Sequence, residues 1–353
     1  MAIYIQSISQ ISIQEPLCDN WFENPIYHSQ RYVPSIEPNY KQYINPMSSR
    51  RMGKILKRAV TTSLNVLHER KGNEIDAIIT ATGLGCIENT EKFLYSMLEN
   101  NETLLTPTYF IQSTHNTISS QIALELKCNN YNSTYVHRGI SFESALFDAF
   151  LQFKLNKITN ALVGAHDEMT KDIFTLYDKI GYWKKGDICV ETLRKSETLG
   201  SFSGEVAVSS FLSNEKNEDS ICSLAGMNIL HKPTKEKLEE TLKRLLEENN
   251  LTLSDIDAVL VGHSGDKEND EVYSKTKENL FNDIPFVWYK HLFGESFSMS
   301  GLGFYVGATC LKKNIIPKHL VFDSPKEILN PKHILIYNHF QNSEHSFILL
   351  SKC

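Results

Sequence analysis

The chain has 353 residues, of which 41% are hydrophobic and 22% charged, and its formal net charge is −6. This composition is that of a folded globular protein and excludes the disordered and collagen-like classes. Basic residues are neither in excess nor clustered, which excludes a nucleic-acid surface. Seven cysteines without CxxC spacing predict a reduced, cytoplasmic protein rather than a disulfide scaffold or a zinc site.

The sequence contains no motif for a cofactor, a metal or a membrane. Gly83 and Gly85 lack the third glycine and the strand-to-helix context of a dinucleotide-binding loop. Membrane spans need about 18 consecutive apolar residues, and no such stretch occurs. We therefore expect no cofactor, no metal, no nucleic acid and no membrane among the ligands and partners of the protein.

Strand and helix patterns alternate along the first part of the chain, which predicts an α/β fold. The N-terminal residues 1–6 are typical of a first strand. Further strands are predicted at 74–82, 133–136, 159–164 and 204–212, and helices at 50–68, 116–127 and 141–155.

The polar segment 213–220 (SNEKNEDS) interrupts this pattern and predicts a boundary between two halves, 1–213 and 221–353. After it the pattern repeats. Helices are predicted at 234–248 and 298–313, and strands at 258–261, 283–289, 333–337 and 346–350. The segments EIDAIITATG and DIDAVLVGHSG each follow a helix, and this self-similarity favours a duplicated βαβ fold.

Several short segments occur in an order that is typical of one superfamily. They are QSTHN, STYVHRGISFESAL, ALVGAHDEM, GEVAVSS, DIDAVLVGHSG, YKHLFGESFSMSGLG and YNHFQNSEHSFILL. Together they resemble the β-ketoacyl synthases of the thiolase superfamily over the whole chain. The resemblance implies a thiolase-like duplicated βαβ fold with αβαβα layers. The most similar members are the short ketosynthase-like and chain-length-factor-like proteins of type II polyketide and aryl-polyene-type pathways.

The resemblance also implies that the catalytic nucleophile is absent. In these enzymes an asparagine opens a helix, and the nucleophilic cysteine follows 23 residues later. Asn116 matches that asparagine, Gly139 lies at the cysteine position, and Ser141 matches the serine that follows. Because no cysteine lies between Cys128 and Cys189, a shift of the alignment cannot restore a thiol. Glycine cannot accept an acyl group, so we expect no acyl-enzyme.

The basic partners of the nucleophile are only half retained. By the same resemblance, His263 matches the first catalytic histidine and Lys290 the catalytic lysine, while Glu295 replaces the second histidine. An ionised carboxylate cannot donate a hydrogen bond to a thioester carbonyl, and we expect it to repel a malonyl carboxylate.

Three further residues belong to this vestigial site or its interface. The glycine-rich gate of the family falls on residues 339–345, which include Phe340 but no glycine. Arg138 and His137 lie beside Gly139, close to the dimer interface of such folds. We expect Arg138 to be buried there and paired with Glu295 or Glu143, because an unpaired buried guanidinium is costly.

Three functions remain open at this point. The first is a subunit without condensing activity, which pairs with an active ketosynthase as a heterodimer, or with itself, and meets acyl-carrier protein only indirectly. The second is altered acyl chemistry, namely thioester hydrolysis or decarboxylation, with His263 and Ser141 or His137 and Asp167 as catalytic pairs. The third is a non-catalytic acyl-binding or assembly protein unrelated to polyketides.

Overall fold

A computed structural model describes residues 2–68, 74–103, 105–324 and 326–353. The strands of these residues are β1 (Ile3–Ile11), β2 (Ala77–Ala81), β3 (Tyr131–Tyr135), β4 (Asn160–Asp167), β5 (Val206–Ser213), β6 (Cys222–His231), β7 (Ala258–Val261), β8 (Phe286–Trp288), β9 (Ile315–Ile316), β10 (Ile328–Leu329), β11 (His333–Phe340) and β12 (Glu344–Lys352).

Helices connect most of these strands. They are α1 (Pro46–Ser49), α2 (Lys54–Leu67), α3 (Ile87–Glu99), α4 (Pro107–Ile111), α5 (Thr117–Leu126), α6 (Ser141–Lys154), α7 (Lys171–Lys179), α8 (Val190–Lys195), α9 (Lys235–Glu247), α10 (Lys267–Leu280), α11 (Lys290–Phe293) and α12 (Ser300–Lys313). Among the described residues, no helix has both the length and the apolar character that a membrane crossing requires.

Ten strands form one mixed sheet in the order β3-β2-β4-β5-β1-β6-β12-β11-β7-β8. The two halves of this order mirror each other. In the first half β2 is parallel to β3 and β4, and β5 is antiparallel to β4 and β1. In the second half β7 is parallel to β8 and β11, and β12 is antiparallel to β11 and β6. The halves meet where Ile3, Tyr4 and Ile5 of β1 pair with β6.

Three hydrophobic clusters divide the helices into layers. Side chains of α6 and α12 form the central cluster with one face of both sheet halves. The opposite faces are covered by α2 and α5 in the first half and by α9 and α10 in the second. Alternation along a strand produces this arrangement, since Ile79 faces the central cluster and Ile78 faces the α2–α5 cluster. The layers are therefore αβαβα, which confirms the predicted fold class.

Close packing of the central helices positions the site. At Gly301 in the first turn of α12, a β-carbon would lie 2.5 Å from the Cβ atom of Ala165 in β4. Only glycine allows this approach without a shift of backbone. The buried Ala145 and Ala149 of α6 likewise leave little bulk between helix and sheet. The first turns of the two helices meet, since the hydroxyl of Ser300 in α12 donates to Oε2 of Glu143 in α6 at 2.9 Å.

The sequence patterns missed some elements. Helix α10 (KENDEVYSKTKENL) buries only Asp270, Tyr273 and Thr276, so it lacks the apolar stripe by which helices are recognised. Strand β6 and helix α3 were also missed. The loop between β5 and β6 coincides with the polar segment 213–220, and we continue to interpret residues 1–213 and 221–353 as the two duplicated halves.

Candidate functional site

A cavity of about 510 Å³ lies at the carboxyl ends of parallel strands of both halves. Gly139 follows β3, Ser264 follows β7, Lys290 follows β8, and Phe340 ends β11, and all four line the cavity. Active and binding sites of α/β proteins typically lie at this end of the strands. The cavity is therefore the candidate functional site.

Gly139 and Phe340 are in direct contact inside this cavity. A β-carbon built on Gly139 would lie 2.2 Å from Cδ2 and 2.6 Å from Cγ of the Phe340 ring. Real β-carbons essentially never approach another heavy atom so closely. The aromatic ring thus fills the space that any side chain at position 139 would need, including a cysteine thiol.

Phe340 is followed by a tight backbone turn, and its ring packs against a second aromatic ring. Gln341 and Asn342 both have φ of 51°, and the backbone N–H of Ser343 donates to the carbonyl of Phe340 at 3.0 Å. A tight turn of this kind without glycine is conformationally restricted. The ring of Phe297 packs against Phe340 with 6.0 Å between ring centroids. The hairpin end thus has a tight turn without glycine, where the resemblance implied a glycine-rich gate.

Lys290 and Glu295 form a largely buried ion pair at the cavity wall. The Nζ atom of Lys290 lies 2.7 Å from Oε2 of Glu295, and the side chains are 8% and 14% exposed. Burial raises the pKa of Glu295, and the charge of Lys290 opposes this shift. The expectation that Glu295 repels a malonyl carboxylate therefore omitted its counter-ion, since each residue neutralises the other.

His263 lies outside the set of residues that line the cavity. Its Nε2 atom is 3.0 Å from the carbonyl oxygen of Leu193, 3.1 Å from Oγ of Ser196 and 3.3 Å from Oδ2 of Asp270. Burial lowers the pKa of His263, and Asp270 opposes this shift. Because a carbonyl oxygen only accepts, the imidazole Nε2–H donates to Leu193 in the last turn of α8.

Ser141 and His137 are engaged in local backbone contacts. The hydroxyl of Ser141 donates to the carbonyl of Arg138 at 2.7 Å and accepts from the backbone N–H of His137 at 2.8 Å. The ring Nδ1 of exposed His137 lies 3.3 Å from Oγ of Ser144. Neither Ser141 and His263 nor His137 and Asp167 form a hydrogen-bonded pair among the described residues.

Asp167 is a structural residue at the end of β4. One carboxylate oxygen accepts from Oγ1 of Thr82 and from the backbone N–H groups of Gly83 and Leu84, at 2.8–2.9 Å. The other accepts from the N–H and the hydroxyl of Ser298, at 2.8 and 2.5 Å. With five donors on its two oxygens, Asp167 fixes the loops after β2 and before α12.

The predicted ion pair of Arg138 is wrong for the isolated chain. Arg138 is exposed and has φ of 48°. Glu295 binds Lys290, and Glu143 binds three neutral side chains, so both proposed carboxylates have other partners. The pairing was inferred from charge alone, whereas the backbone turns the Arg138 side chain to the surface. Its burial in a dimer interface stays a prediction.

Asn116 lies at the predicted helix start but away from the cavity. It is the N-cap residue of α5, its side chain makes no capping hydrogen bond, and it is exposed. Of the residues singled out in the sequence, Gly139, Phe340, Lys290 and Glu295 line the cavity together. Asn338 and Ser300 also line it and were missed, because both lie in the recognised segments but at positions to which the resemblance assigns no catalytic role. No group of three or more metal-ligating side chains occurs among the described residues.

Comparison with known proteins identifies the fold. Residues 19–191 match the family model described as β-ketoacyl synthase, N-terminal domain. No curated protein sequence matches the chain. Among solved structures, the ishigamide ketosynthase/chain length factor is similar with a TM-score of 0.84 at 14% identity, covering 100% of this chain and 99% of that chain.

Two further structures show the same fold. A β-ketoacyl synthase from Burkholderia phymatum has a TM-score of 0.82 at 14% identity, covering 100% of this chain and 99% of that one. A ketosynthase in complex with its chain length factor from Xenorhabdus doucetiae has a TM-score of 0.79 at 13% identity, covering 100% and 98%. At such identities the likeness concerns the fold alone.

The fold is thus that of the thiolase-type ketosynthases. Within this fold, residues 19–191 are similar to the β-ketoacyl synthase N-terminal domain. Because a fold does not specify an activity, the residues in the cavity have to distinguish a condensing enzyme from a subunit without that activity.

Proposed function

We propose that the chain is a chain-length-factor-like subunit without condensing activity, which pairs with an active ketosynthase in a type II polyketide-like or fatty-acid-like pathway. The observation that carries this proposal is the contact between Gly139 and Phe340. Acyl transfer needs a nucleophile at the start of the central helix. Here that position has neither a reactive atom nor free space for one.

The charged residues of the cavity support the same proposal. Lys290 forms an ion pair with Glu295 at 2.7 Å, so its charge is compensated within the chain rather than by a substrate. His263 does not line the cavity, and its Nε2 lies 3.0 Å from the carbonyl oxygen of Leu193 in α8. The site has thus lost the nucleophile, the free charge of the lysine and the position of the histidine in the cavity. This combination is consistent with a protein that no longer catalyses condensation.

A free sheet edge supports pairing with another chain. Strand β3 ends the sheet order, so its outer edge has no partner strand among the described residues. Exposed apolar side chains lie on this strand, directly after it and on the flanking α5 and α6, namely Tyr131, Val136, Leu124, Leu151 and Leu155. Exposed edges and apolar surface of this kind are usually covered by a partner. The partner proposed is a ketosynthase, and acyl-carrier protein would meet that partner rather than this chain.

Co-expression with an intact ketosynthase from the same genome tests the pairing. We expect a stable one-to-one complex by size-exclusion chromatography with light scattering and by native mass spectrometry. Val136→Lys and Leu155→Lys should weaken the complex at least tenfold. Leu329→Lys is the matched control, since Leu329 is 62% exposed but lies on β10, outside the β3 edge.

Two results would count against this function. If the chain forms a monodisperse homodimer and binds none of the ketosynthases tested, the result would favour a role as a non-catalytic acyl-binding or assembly protein. Turnover of acyl- or malonyl-carrier protein by this chain alone, abolished in His263→Ala, would favour thioester hydrolysis or decarboxylation. Mass spectrometry of the carrier protein before and after incubation distinguishes the two cases.

A further inference from the structure

Glu143 is a fully buried carboxyl group that is held only by neutral side chains. Its Oε1 atom accepts from Nδ2 of Asn338 at 2.7 Å and from the hydroxyl of Ser346 at 3.3 Å, and its Oε2 accepts from the hydroxyl of Ser300 at 2.9 Å. Burial raises the pKa of Glu143, and these hydrogen bonds oppose the shift. The three donors lie on β11, β12 and α12, so one side chain of α6 connects the N-terminal half to three elements of the C-terminal half.

The spacing of these residues links Glu143 to the Gly139–Phe340 contact. Glu143 lies four residues after Gly139, which corresponds to about one helical turn. Asn338 lies two residues before Phe340 on β11, and residues two apart in a strand face the same side. The hydrogen bond between Glu143 and Asn338 and the contact between Gly139 and Phe340 are therefore neighbouring contacts across one helix–strand interface.

This hydrogen bond orients the buried side chain of Asn338. Asn338 is 6% exposed, and without Glu143 its Nδ2 group would be a buried donor without an acceptor. Such groups are costly, so the strand would shift or rotate to find water. The other side of Asn338 is held by a weaker contact, in which the hydroxyl of Tyr273 donates to its Oδ1 at 3.2 Å. Phe340 lies two residues later on the same face of the strand, so a displacement of the backbone at Asn338 would move its ring.

We infer that Glu143 is a positioning residue, which holds Phe340 on Gly139 through Asn338 and thereby ends the cavity at the Phe340 ring. The cavity is lined by Asn338, Phe340, Gly139 and Ser300. If the Glu143–Asn338 hydrogen bond were lost and the Phe340 ring moved away, the cavity would extend toward the first turn of α6. The inference concerns contacts within one chain and does not depend on the identity of the partner. Glu143 therefore has a role besides stabilising the fold, since it determines where the ring of Phe340 lies.

The test places 4-fluorophenylalanine at position 340 and records its ¹⁹F resonance in the full chain. We expect one resonance, displaced from that of the free amino acid by the surrounding rings. In Glu143→Ala and Asn338→Ala it should move toward the free position or broaden into several lines. Glu143→Gln should keep the original resonance, because a neutral amide can accept from Asn338 and donate to Ser300.

Two controls separate positioning from general destabilisation. Leu242→Ala removes a buried side chain of the outer α9 layer and should lower the urea midpoint without moving the resonance. Tyr273→Phe removes the hydroxyl contacts to Oδ1 of Asn338 and to the backbone N–H of His339 while leaving the Glu143 bond, and should also leave the resonance in place. If Glu143→Ala does not fold, Asn338→Ala carries the test. An unmoved resonance in Asn338→Ala, or an equal movement in Leu242→Ala, would overturn the inference.

Discussion

The ring of Phe340 lies so close to the α-carbon of Gly139 that a β-carbon there would be 2.2 Å from its Cδ2 atom. Gly139 belongs to the N-terminal half of the chain, and Phe340 ends a strand of the C-terminal half. The glycine and the phenylalanine are therefore complementary in shape. The ring can occupy this position only because residue 139 has no side chain. The energetic coupling between the two residues can be measured.

A double-mutant cycle should detect this coupling. Gly139→Ala adds a methyl group where the ring lies and should lower the free energy of unfolding by about 2 kcal/mol. Phe340→Ala removes a packed ring and should cost about 2–3 kcal/mol. The double variant should be at least about 1 kcal/mol more stable than the sum of the two changes predicts, because the added methyl group then occupies space that the ring has vacated. Urea denaturation followed by circular dichroism measures all four proteins.

A second cycle with Phe281→Ala provides the control. Phe281 is fully buried but packs in the cluster beneath α9 and α10. Its change should add to that of Gly139→Ala within about 0.5 kcal/mol, as expected for sites that do not touch. Equal coupling in both cycles would mean that the Gly139–Phe340 contact is not specific.

The Lys290–Glu295 pair should be sensitive to loss of either charge. Lys290→Met leaves a carboxylate buried without its counter-ion and should cost about 3 kcal/mol at pH 7. Lys290→Met/Glu295→Gln should recover more than half of this loss, since no charge then remains unpaired. In Lys290→Met the loss should be smallest below pH 4.5, the ordinary pKa of the carboxyl group, and should grow as the pH rises and Glu295 ionises. Thermal denaturation between pH 4 and 8 measures the trend, and a loss independent of pH would contradict it.

His166 should make the protein less stable in mild acid. The residue is fully buried, neither ring nitrogen has a hydrogen-bond partner among the described residues, and burial lowers its pKa to about 3. The unfolded chain takes up this proton near pH 6.5 and the folded chain does not, so stability falls as the pH drops below about 6.5. His166→Leu removes the effect, and its advantage over the wild type should grow by about 2 kcal/mol between pH 7 and 5.

A buried apolar residue serves as the comparison. Leu242→Ala removes a side chain of the α9 layer without changing a titratable group, and its stability difference from the wild type should stay constant over the same pH range. Urea titrations at pH 7, 6 and 5 give both differences. Parallel curves for His166→Leu and the wild type would show that His166 is protonated, or solvated, in the folded chain.

Arg138 should be replaceable by glycine with a gain in stability. Its φ of 48° lies in the left-handed region, which costs a residue with a side chain about 1 kcal/mol. Arg138→Gly should raise the free energy of unfolding of the isolated chain by about 0.5–1 kcal/mol. His137→Gly, at φ of −140°, should lower it instead. If Arg138 also lies in a partner interface, Arg138→Gly should at the same time weaken the complex.

Periodic apolar patterns predicted the central elements of the fold well. The strand Ala258–Val261 was predicted with its correct bounds, and the helix 141–155 differs from α6 by one residue. Helix α10 could not be found this way, because its inward side carries Asp270, Tyr273 and Thr276 rather than an apolar stripe. Buried polar residues that bind to each other have no periodic signature in a sequence.

Only part of the site could be predicted, because some of its contacts also have no signature in the sequence. Motif order placed Gly139, Lys290, Glu295 and Phe340 in one cavity, as the structure has them. It could not show that Phe340 covers Gly139, since the two residues lie 201 positions apart in the chain. Nor could it show that Lys290 neutralises Glu295 or that Arg138 points outward, because a side chain's direction depends on backbone angles that motifs do not contain.

Intact-mass spectrometry after incubation with acyl-carrier protein tests whether this chain can carry an acyl group. The chain would be incubated together with its ketosynthase partner and an acyl thioester, separated under denaturing conditions and weighed. We expect the acyl mass on the ketosynthase and none on this chain, because position 139 offers no thiol and the Phe340 ring fills its space. An acyl group covalently attached to this chain, within the peptide from Arg138 to Lys154, would contradict the account.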